Sequence, residues 1–168
     1  MSREPRSGVA VAQPSDPDEL ATVKRMFEEY AQSLSFSLGF QGFAQEMADF
    51  PGRYAPPGGV LLLARAHRDG AWQAAGAVGL RALDAGTCEM KRMYVRDGLR
   101  GLGVGRALAL AAIEHGRACG YRRMRLDTIH GQMDSAEALY RSLGFHDIAA
   151  YYDNPVPGAV YLERDLRA

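Results

Sequence analysis

The sequence contains little cysteine, and this limits both its covalent chemistry and its stabilisation. Only two of the 168 residues are cysteine, Cys88 and Cys119, and they stand in neither a CxxC nor a mixed Cys/His metal-binding spacing. A disulfide framework and a zinc site are therefore not expected. We interpret both cysteines as small buried apolar residues in a reducing compartment.

The sequence also lacks a long apolar run, a signal-like N-terminus and an excess of either charge sign. No stretch approaches the run of about 18 apolar residues that a membrane-spanning helix needs. Lysine plus arginine number 20, as do aspartate plus glutamate. The four histidines, His67, His115, His130 and His146, have no ligand spacing, so we interpret them as structural or exposed. We expect a cytoplasmic protein that binds no membrane, no nucleic acid and no metal.

Hydrophobic periodicity predicts eleven elements within a single domain, residues 1–168. Their order is β-α-α-β-β-β-α-β-α-β-β, which predicts a mixed α/β sheet with helices on both faces. The predicted strands are 8–14, 60–67, 72–83, 87–95, 122–128, 146–152 and 158–166. The clearer helices start after Asp16, at 104 and at 134, and a short one falls within an irregular aromatic segment, residues 35–59.

Capping residues mark the helix ends. Asp16 followed by Pro17 is typical of a helix start, and Asp134 with Glu137 indicates a capping box. Gly144 predicts a Schellman-type stop. The irregular segment carries Phe36, Phe40, Phe43, Phe50 and Tyr54, which fit either a pocket wall or a separate apolar cluster under a long loop.

The glycine-rich stretch "RGLGVGR", residues 100–106, lies between a predicted strand and a predicted helix. Glycines at such a turn allow close approach of a ligand, and the first N–H groups of a helix bind anions. A Walker A loop is excluded because its lysine is missing, and the spacing fits GxGxxG poorly. A phosphate cradle or a plain linker remains.

At this point the sequence resembles the Gcn5-related N-acetyltransferase (GNAT) superfamily. Residues 100–105 match its [RQ]xxGx[GA] motif, "LYRSLGF" resembles its second motif, and the element order agrees along nearly the whole chain. The phrases "MADFPGRYAPPGG", "CEMKRMYV" and "YYDNP" resemble a bacterial subgroup. One departure is that Arg96 and Asp97 follow Val95, where relatives often carry a proline.

The resemblance implies a mostly antiparallel GNAT-like sheet whose fourth and fifth strands splay around the pantetheine arm of acetyl-CoA. It implies that Leu102 to Gly105 and Arg106 hold the pyrophosphate, with Arg100 as a second cation. A backbone N–H of Met93 or Tyr94 would polarise the thioester carbonyl. The implied contacts with acetyl-CoA are Met93, Tyr94, Val95, Arg100, Gly101, Leu102, Gly103, Val104, Gly105, Arg106 and Thr128.

Two side chains are candidates for catalysis. Glu89 lies eleven residues before Arg100, the offset at which one branch of the family places its general base. It fits an ion pair with Lys91 or Arg92 equally well. Tyr140 matches a family tyrosine that assists the leaving thiolate. Its helical spacing with Leu139 and Leu143 would otherwise place it in the core.

We therefore expect an N-acetyltransferase that moves an acetyl group from acetyl-CoA directly to a primary amine. A small-molecule acceptor is favoured, with "YYDNP" at 151–155 as a candidate rim. A peptide or protein acceptor and a non-catalytic acyl-CoA sensor remain as alternatives. The final strands offer an edge through which a homodimer would pair.

Overall fold

The computed structural model describes residues 8–167, which are built around one seven-stranded sheet. The strands are β1 (Val9–Ala12), β2 (Val60–Arg68), β3 (Ala71–Ala82), β4 (Thr87–Val95), β5 (Arg123–Ile129), β6 (His146–Asp147) and β7 (Ala159–Asp165). The helices are α1 (Pro17–Ser33), α2 (Phe43–Ala48), α3 (Val104–Ala118) and α4 (Asp134–Ser142), with 3-10 turns at Gly39–Gln41 and Gly52–Tyr54. The predicted order of elements is confirmed.

The strand order across the sheet is β1-β2-β3-β4-β5-β7-β6, and only β4 and β5 run parallel. Helix α3 packs across β1 to β4, and α4 packs beside it on β5. Helix α1 covers the other face over β2 to β4. The structure therefore confirms a mixed, mostly antiparallel sheet with helices on both faces. No helix within residues 8–167 is long and apolar enough to cross a bilayer.

The aromatic segment divides its side chains between two roles. Phe27 of α1 packs edge-to-face on Phe50 and Tyr54, with ring centroids 5.8 and 5.6 Å away. Phe36 and Phe40 instead line a cavity that residues of β4 and β5 also border. Both interpretations of this segment therefore hold, each for a different part of it.

Most predicted helix ends are confirmed. The Asp16 carboxylate accepts a hydrogen bond of 2.8 Å from the backbone N–H of Glu19, with Pro17 in the first turn. At the end of α4 the N–H of Phe145 reaches the carbonyl of Tyr140, and Gly144 has φ +91°, as a Schellman stop requires.

The capping box predicted for α4 is wrong. Met133 is the N-cap and makes no side-chain capping bond, while Asp134 accepts a bond from the Gly131 N–H instead. Glu137 binds the side chains of His130 and Arg141. In the turn before α4 the Met133 N–H donates to the Ile129 carbonyl, and the helix begins at Asp134, so Asp134 cannot act as its cap.

Two further expectations are corrected. The strand predicted at 146–152 covers only His146 and Asp147, because the chain then leaves the sheet edge and its tyrosines turn inward onto carboxylates. Cys88 is buried, but Cys119 is exposed because it follows the last turn of α3. Strand β7 is an inner strand, so the edges of the sheet are β1 and the short β6.

Candidate functional site

The site begins where β4 and β5 stop pairing. Their backbone register joins only Thr87–Glu89 to Arg123–Arg125, and beyond these residues the strands separate. The expected splay is therefore confirmed. Between the separated strands lies a cavity of about 100 Å³, with residues 90–93 as one wall and residues 126–129 as the other.

A β-bulge shapes the β4 wall. Lys91 lies opposite Gly79 and Tyr94 opposite Ala77, so β4 carries one more residue than β3 in this interval. Arg92 takes φ +62°, a left-handed conformation that residues other than glycine seldom adopt. The bulge places Lys91, Arg92 and Met93 along the same cavity, although neighbouring side chains of a regular strand alternate between faces.

The glycine turn joins β4 to α3 at the same end of the sheet. Gly101 and Gly103 have φ values of +80° and +82°, and Gly103 is the N-cap of α3. A Cβ at either position would meet no atom within 4 Å, so backbone conformation is what requires glycine there. Gly105 lies inside the first turn of α3, where a Cβ would make ordinary contacts with Leu139 and Val95.

The cations expected near this turn are exposed. The Arg100 side chain is 64% exposed, lies 3.3 Å from Asp97 and donates weakly to the Val95 carbonyl. Arg106 is exposed in the first turn of α3. Leu102 is exposed and Val104 is buried against the sheet. The Asp97–Gly98 turn forms where relatives carry proline, with Gly98 at φ +81°.

Tyr140 of α4 faces the cavity from the side opposite α1. Its ring packs edge-to-face on Phe145 at 5.8 Å, and only 6% of the residue is exposed. Burial raises the pKa of its phenol well above the usual value, with smaller contributions from Tyr30 and Asp127. Tyr140 is therefore both a core residue and a cavity residue, and its phenol stays protonated.

Asp127 is the carboxylate that lines the cavity. Its Oδ1 lies 3.3 Å from Lys91 Nζ, and its Oδ2 accepts hydrogen bonds from the Tyr152 hydroxyl and from Asn154 Nδ2. Burial acts to raise the pKa of Asp127, but the Lys91 ammonium and these hydrogen bonds outweigh it and hold that pKa below its usual value. Burial has the opposite effect on Lys91: it lowers the pKa of the ammonium, and the charge of Asp127 partly offsets this shift.

Glu89 is buried near the cavity but does not line it. Only 2% of the residue is exposed, and it is not among the residues that line the cavity. Arg81 Nε donates to its Oε1 at 3.0 Å, and the Tyr151 hydroxyl donates to its Oε2 at 2.6 Å. Its ion-pair partner is thus Arg81, and the partners anticipated from sequence, Lys91 and Arg92, bind other carboxylates.

An open groove adjoins the cavity. Residues 150–154, Val156 and Tyr161 line it, and Asn154 is shared with the cavity. The Tyr161 hydroxyl donates to the Tyr152 carbonyl at 2.7 Å and accepts from the Asn154 N–H at 3.0 Å, which fixes the loop. The "YYDNP" stretch thus forms a rim beside the cavity.

Sequence reasoning missed several polar residues of the cavity. Lys91 and Arg92 were considered only as partners of Glu89, and Tyr30 and Gln41 were not proposed as site residues, yet all four line the cavity. Met93 and Thr128, two of the residues predicted to contact acetyl-CoA, also line the cavity. The useful local signal was the alternation of charge with apolar residues in "CEMKRMYV", but the bulge that reorients Arg92 has no sequence signature of its own.

One histidine lies in a cluster that the sequence did not suggest. Ligand atoms of His130, Asp134 and Glu137 lie within 4.8 Å of one another at the start of α4. Arg141 donates to Glu137 at 3.0 Å and adds a competing cation. His130 Nδ1 itself lies 2.8 Å from Glu137, so the cluster is satisfied by its own ion pairs.

Comparison with known proteins agrees with this geometry. The model of the acetyltransferase (GNAT) family matches residues 23–145. An uncharacterized N-acetyltransferase of Schizosaccharomyces pombe is 35% identical over 161 residues, which cover 95% of this chain and 96% of that protein.

Solved structures show the same fold. A GNAT-family acetyltransferase from Staphylococcus aureus superposes with a TM-score of 0.72 at 20% identity, over 94% of this chain and 99% of that one. A protein described as a putative acetyltransferase from Salmonella typhimurium, solved with acetyl-CoA, superposes with a TM-score of 0.66 at 16% identity, over 94% of both chains. The chain therefore belongs to the GNAT acetyltransferase family and is an acetyl-CoA-dependent acyltransferase.

Proposed function

We propose that this protein transfers the acetyl group of acetyl-CoA directly to the primary amine of a small molecule. The observation that carries the proposal is the cavity between β4 and β5. The phenol of Tyr140 and the buried carboxylate of Asp127 both line it. A cavity of about 100 Å³ suits a small acceptor better than a folded protein surface.

The residues present fit acetyl-CoA. At the start of α3 the Ala107 N–H donates to the Gly103 carbonyl, so the N–H groups of residues 104–106 precede the helical ladder and suit phosphate oxygens. Arg100 and Arg106 add positive charge at the same turn. The separated strands provide a cleft for the pantetheine arm, with Met93 and Thr128 on opposite walls.

The transfer itself needs few protein groups. The amine nitrogen attacks the thioester carbonyl carbon, a C–N bond forms, the C–S bond breaks and the thiolate of CoA leaves. A backbone N–H near Met93 or Tyr94 would bind the developing oxyanion. Tyr140 would donate a hydrogen bond to the leaving sulfur. Its raised pKa makes full proton transfer to a thiolate unfavourable, so we assign it stabilisation of charge.

The acceptor must lose a proton, because an amine with a pKa of about 10.4 is mostly protonated at neutral pH, a cost of roughly 5 kcal/mol. The lowered pKa of Asp127 makes it a weak base suited to orienting an ammonium. We propose that Glu89 accepts the proton through the hydroxyl of Tyr151, which contacts it at 2.6 Å and borders the groove.

The positions of the cysteines support a direct transfer with no acetyl-cysteine intermediate. Cys88 is fully buried, and burial raises the pKa of its thiol to about 12. Cys119 lies after the last turn of α3, at the end away from the glycine turn. Neither is among the residues that line the cavity.

An open groove beside the cavity keeps a peptide acceptor as the second candidate. Its rim of Tyr151, Tyr152 and Asp153 would contact a peptide amine and the residues that follow it. A small-molecule acceptor and a peptide acceptor differ in the size of the group attached to the amine, so a panel of substrates of both kinds distinguishes them.

The test is release of CoA from acetyl-CoA with small amines, amino acids and short peptides, alongside calorimetric titration with CoA. We expect turnover with small amines to exceed turnover with peptides. Absence of CoA binding would overturn the assignment of the glycine turn. Tight binding without turnover of any acceptor would favour an acyl-CoA sensor.

A further inference from the structure

We infer that Lys91 and Arg92 form a carboxylate-binding subsite in the cavity, so that the acceptor is a small amino acid or a similar zwitterion. This inference rests on the proposed function and names its substrate class. It follows from the unused hydrogen-bond donors of these two side chains, the charges around them and the backbone conformation that brings them together.

Lys91 is buried but only partly bonded. An ammonium has three N–H donors, and within residues 8–167 only Asp127 accepts one, at 3.3 Å. The ring of Tyr152 adds a cation–π contact at 5.7 Å. Only 5% of the residue is exposed, yet it lines the cavity. A buried cation with spare donors facing a cavity is suited to an anionic ligand group.

Arg92 offers donors from the adjacent position. Its Nε and Nη2 donate to Glu46 at 3.1 and 3.2 Å, and its Nη1 donates to Gln41. A guanidinium has five N–H donors, so two remain after these three contacts. The side chain also lies over the ring of Phe43, with 4% of the residue exposed. Its position is therefore fixed before any ligand arrives.

The bulge in β4 is what makes these two consecutive residues act together. Arg92 keeps a left-handed backbone conformation, φ +62°, which is strained for any residue other than glycine. In a regular strand Arg92 would point to the face of Cys88 and Met90, which packs on α3. The strain is maintained at the one place where it adds a second cation to the cavity wall.

The charges of the cavity match a zwitterion. Its lining carries two cations, Lys91 and Arg92, and one anion, Asp127. Glu46, the partner of Arg92, is not part of the lining. A carboxylate bound by Lys91 and Arg92, with the ammonium beside Asp127, would leave no buried charge unpaired. A diamine would instead place two positive charges beside two cations.

The closing experiment compares amino acids with their decarboxylated amines and their methyl esters, such as β-alanine with ethylamine and with β-alanine methyl ester. We expect kcat/KM to be at least about 100-fold higher for the acid, because an analogue without the carboxylate leaves buried donors unpaired. Equal turnover of acid and amine overturns the subsite and leaves the proposed function intact.

Variants assign the effect to Lys91. Lys91→Met is expected to remove at least about tenfold of the preference for the acid, mainly through KM, and Lys91→Arg to restore much of it. Lys24→Met, which changes the only other lysine of the chain, is the matched control and should leave the preference unchanged. If Lys91→Met slows acid and amine equally, Lys91 acts on the thioester and the inference is wrong.

Two outcomes need separate readouts. If no acceptor turns over, the proposed function fails, and calorimetry of β-alanine and ethylamine with the CoA-bound protein tests the subsite alone. Tighter binding of β-alanine supports it, and no difference overturns it. If Lys91→Met does not fold, Lys91→Arg and the wild-type substrate comparison decide.

Discussion

Lys91 Nζ lies 3.3 Å from Asp127 Oδ1, across the gap where β4 and β5 cease to pair. The last backbone pair joins Glu89 to Arg125, and the ion pair falls two residues further along each strand. A contact between side chains therefore replaces the backbone ladder where the strands separate. A charged ligand that enters between the strands can therefore bind Lys91 and Asp127 in place of their contact with each other. No hydrogen bond of the sheet has to break.

Gly103→Ala is expected to weaken acetyl-CoA binding. An alanine at φ +82° costs about 1–2 kcal/mol, and any relief of that strain changes the turn before α3. We expect KM for acetyl-CoA to rise about tenfold or more. Gly70→Ala, in the β2–β3 hairpin at φ +78°, is the control: it should lose similar thermal stability and keep the wild-type KM. An unchanged KM in Gly103→Ala would contradict the assignment.

Tyr140→Phe is expected to lower kcat more than tenfold at saturating acetyl-CoA, since a hydrogen bond to the leaving sulfur is lost. The ring contact with Phe145 remains, so the melting temperature should change by only a few degrees. Because burial raises the pKa of Tyr140, its ionisation should cause no loss of activity up to about pH 10. Wild-type turnover in the variant would restrict Tyr140 to a packing role.

Glu89→Gln tests the proton acceptor. If Glu89 takes the amine proton through Tyr151, both Glu89→Gln and Tyr151→Phe should lower kcat about tenfold or more, measured as initial rates of CoA release. Glu163→Gln is the control, because Glu163 is likewise paired with an arginine, Arg125, at 2.8 Å, although its side chain is only half-buried. If Glu89→Gln loses stability without losing rate, as the control should, Glu89 only partners Arg81.

The preference for a carboxylate should depend on pH. Burial lowers the pKa of Lys91 below the usual lysine value of 10.5, with Asp127 and Glu89 raising it and Arg92 and Arg81 lowering it further. The protonated lysine binds the carboxylate, so the preference is full below this lowered pKa and is lost as pH rises through it. The measurement is the ratio of kcat/KM for an amino acid and its decarboxylated amine from pH 7 to 10.

Lys91→Arg supplies the comparison for this pH dependence. A guanidinium stays charged throughout that range, so the ratio should no longer fall with pH. Burial raises the pKa of Tyr152, which contacts Lys91 from the loop, and Asp127 acts in the same direction, so the phenol also stays neutral. A ratio that falls equally in both proteins would assign the titration to another group.

The features that were predicted correctly are those set by residues close together in the sequence. The strand Thr87–Val95 was predicted with its observed bounds, and the turn at Gly103 is encoded within a few positions. The prediction of a capping box at the start of α4 failed because it also rested on a local pattern alone. The pattern at Asp134 and Glu137 was present, but a tight turn one residue earlier changed which residue begins the helix.

The amino-acid sequence alone determined the order of elements through local periodicity, and the glycine turn through backbone conformations that only glycine adopts readily. The family followed from the resemblance of residues 100–105 and of "LYRSLGF" to known motifs. Only the tertiary structure decided which polar groups meet. Asp127 binds Lys91, 36 residues away, and Gln41 binds Tyr152, 111 residues away. Such pairs arise when distant strands and loops converge on one cavity, where burial forces each charge to find a partner.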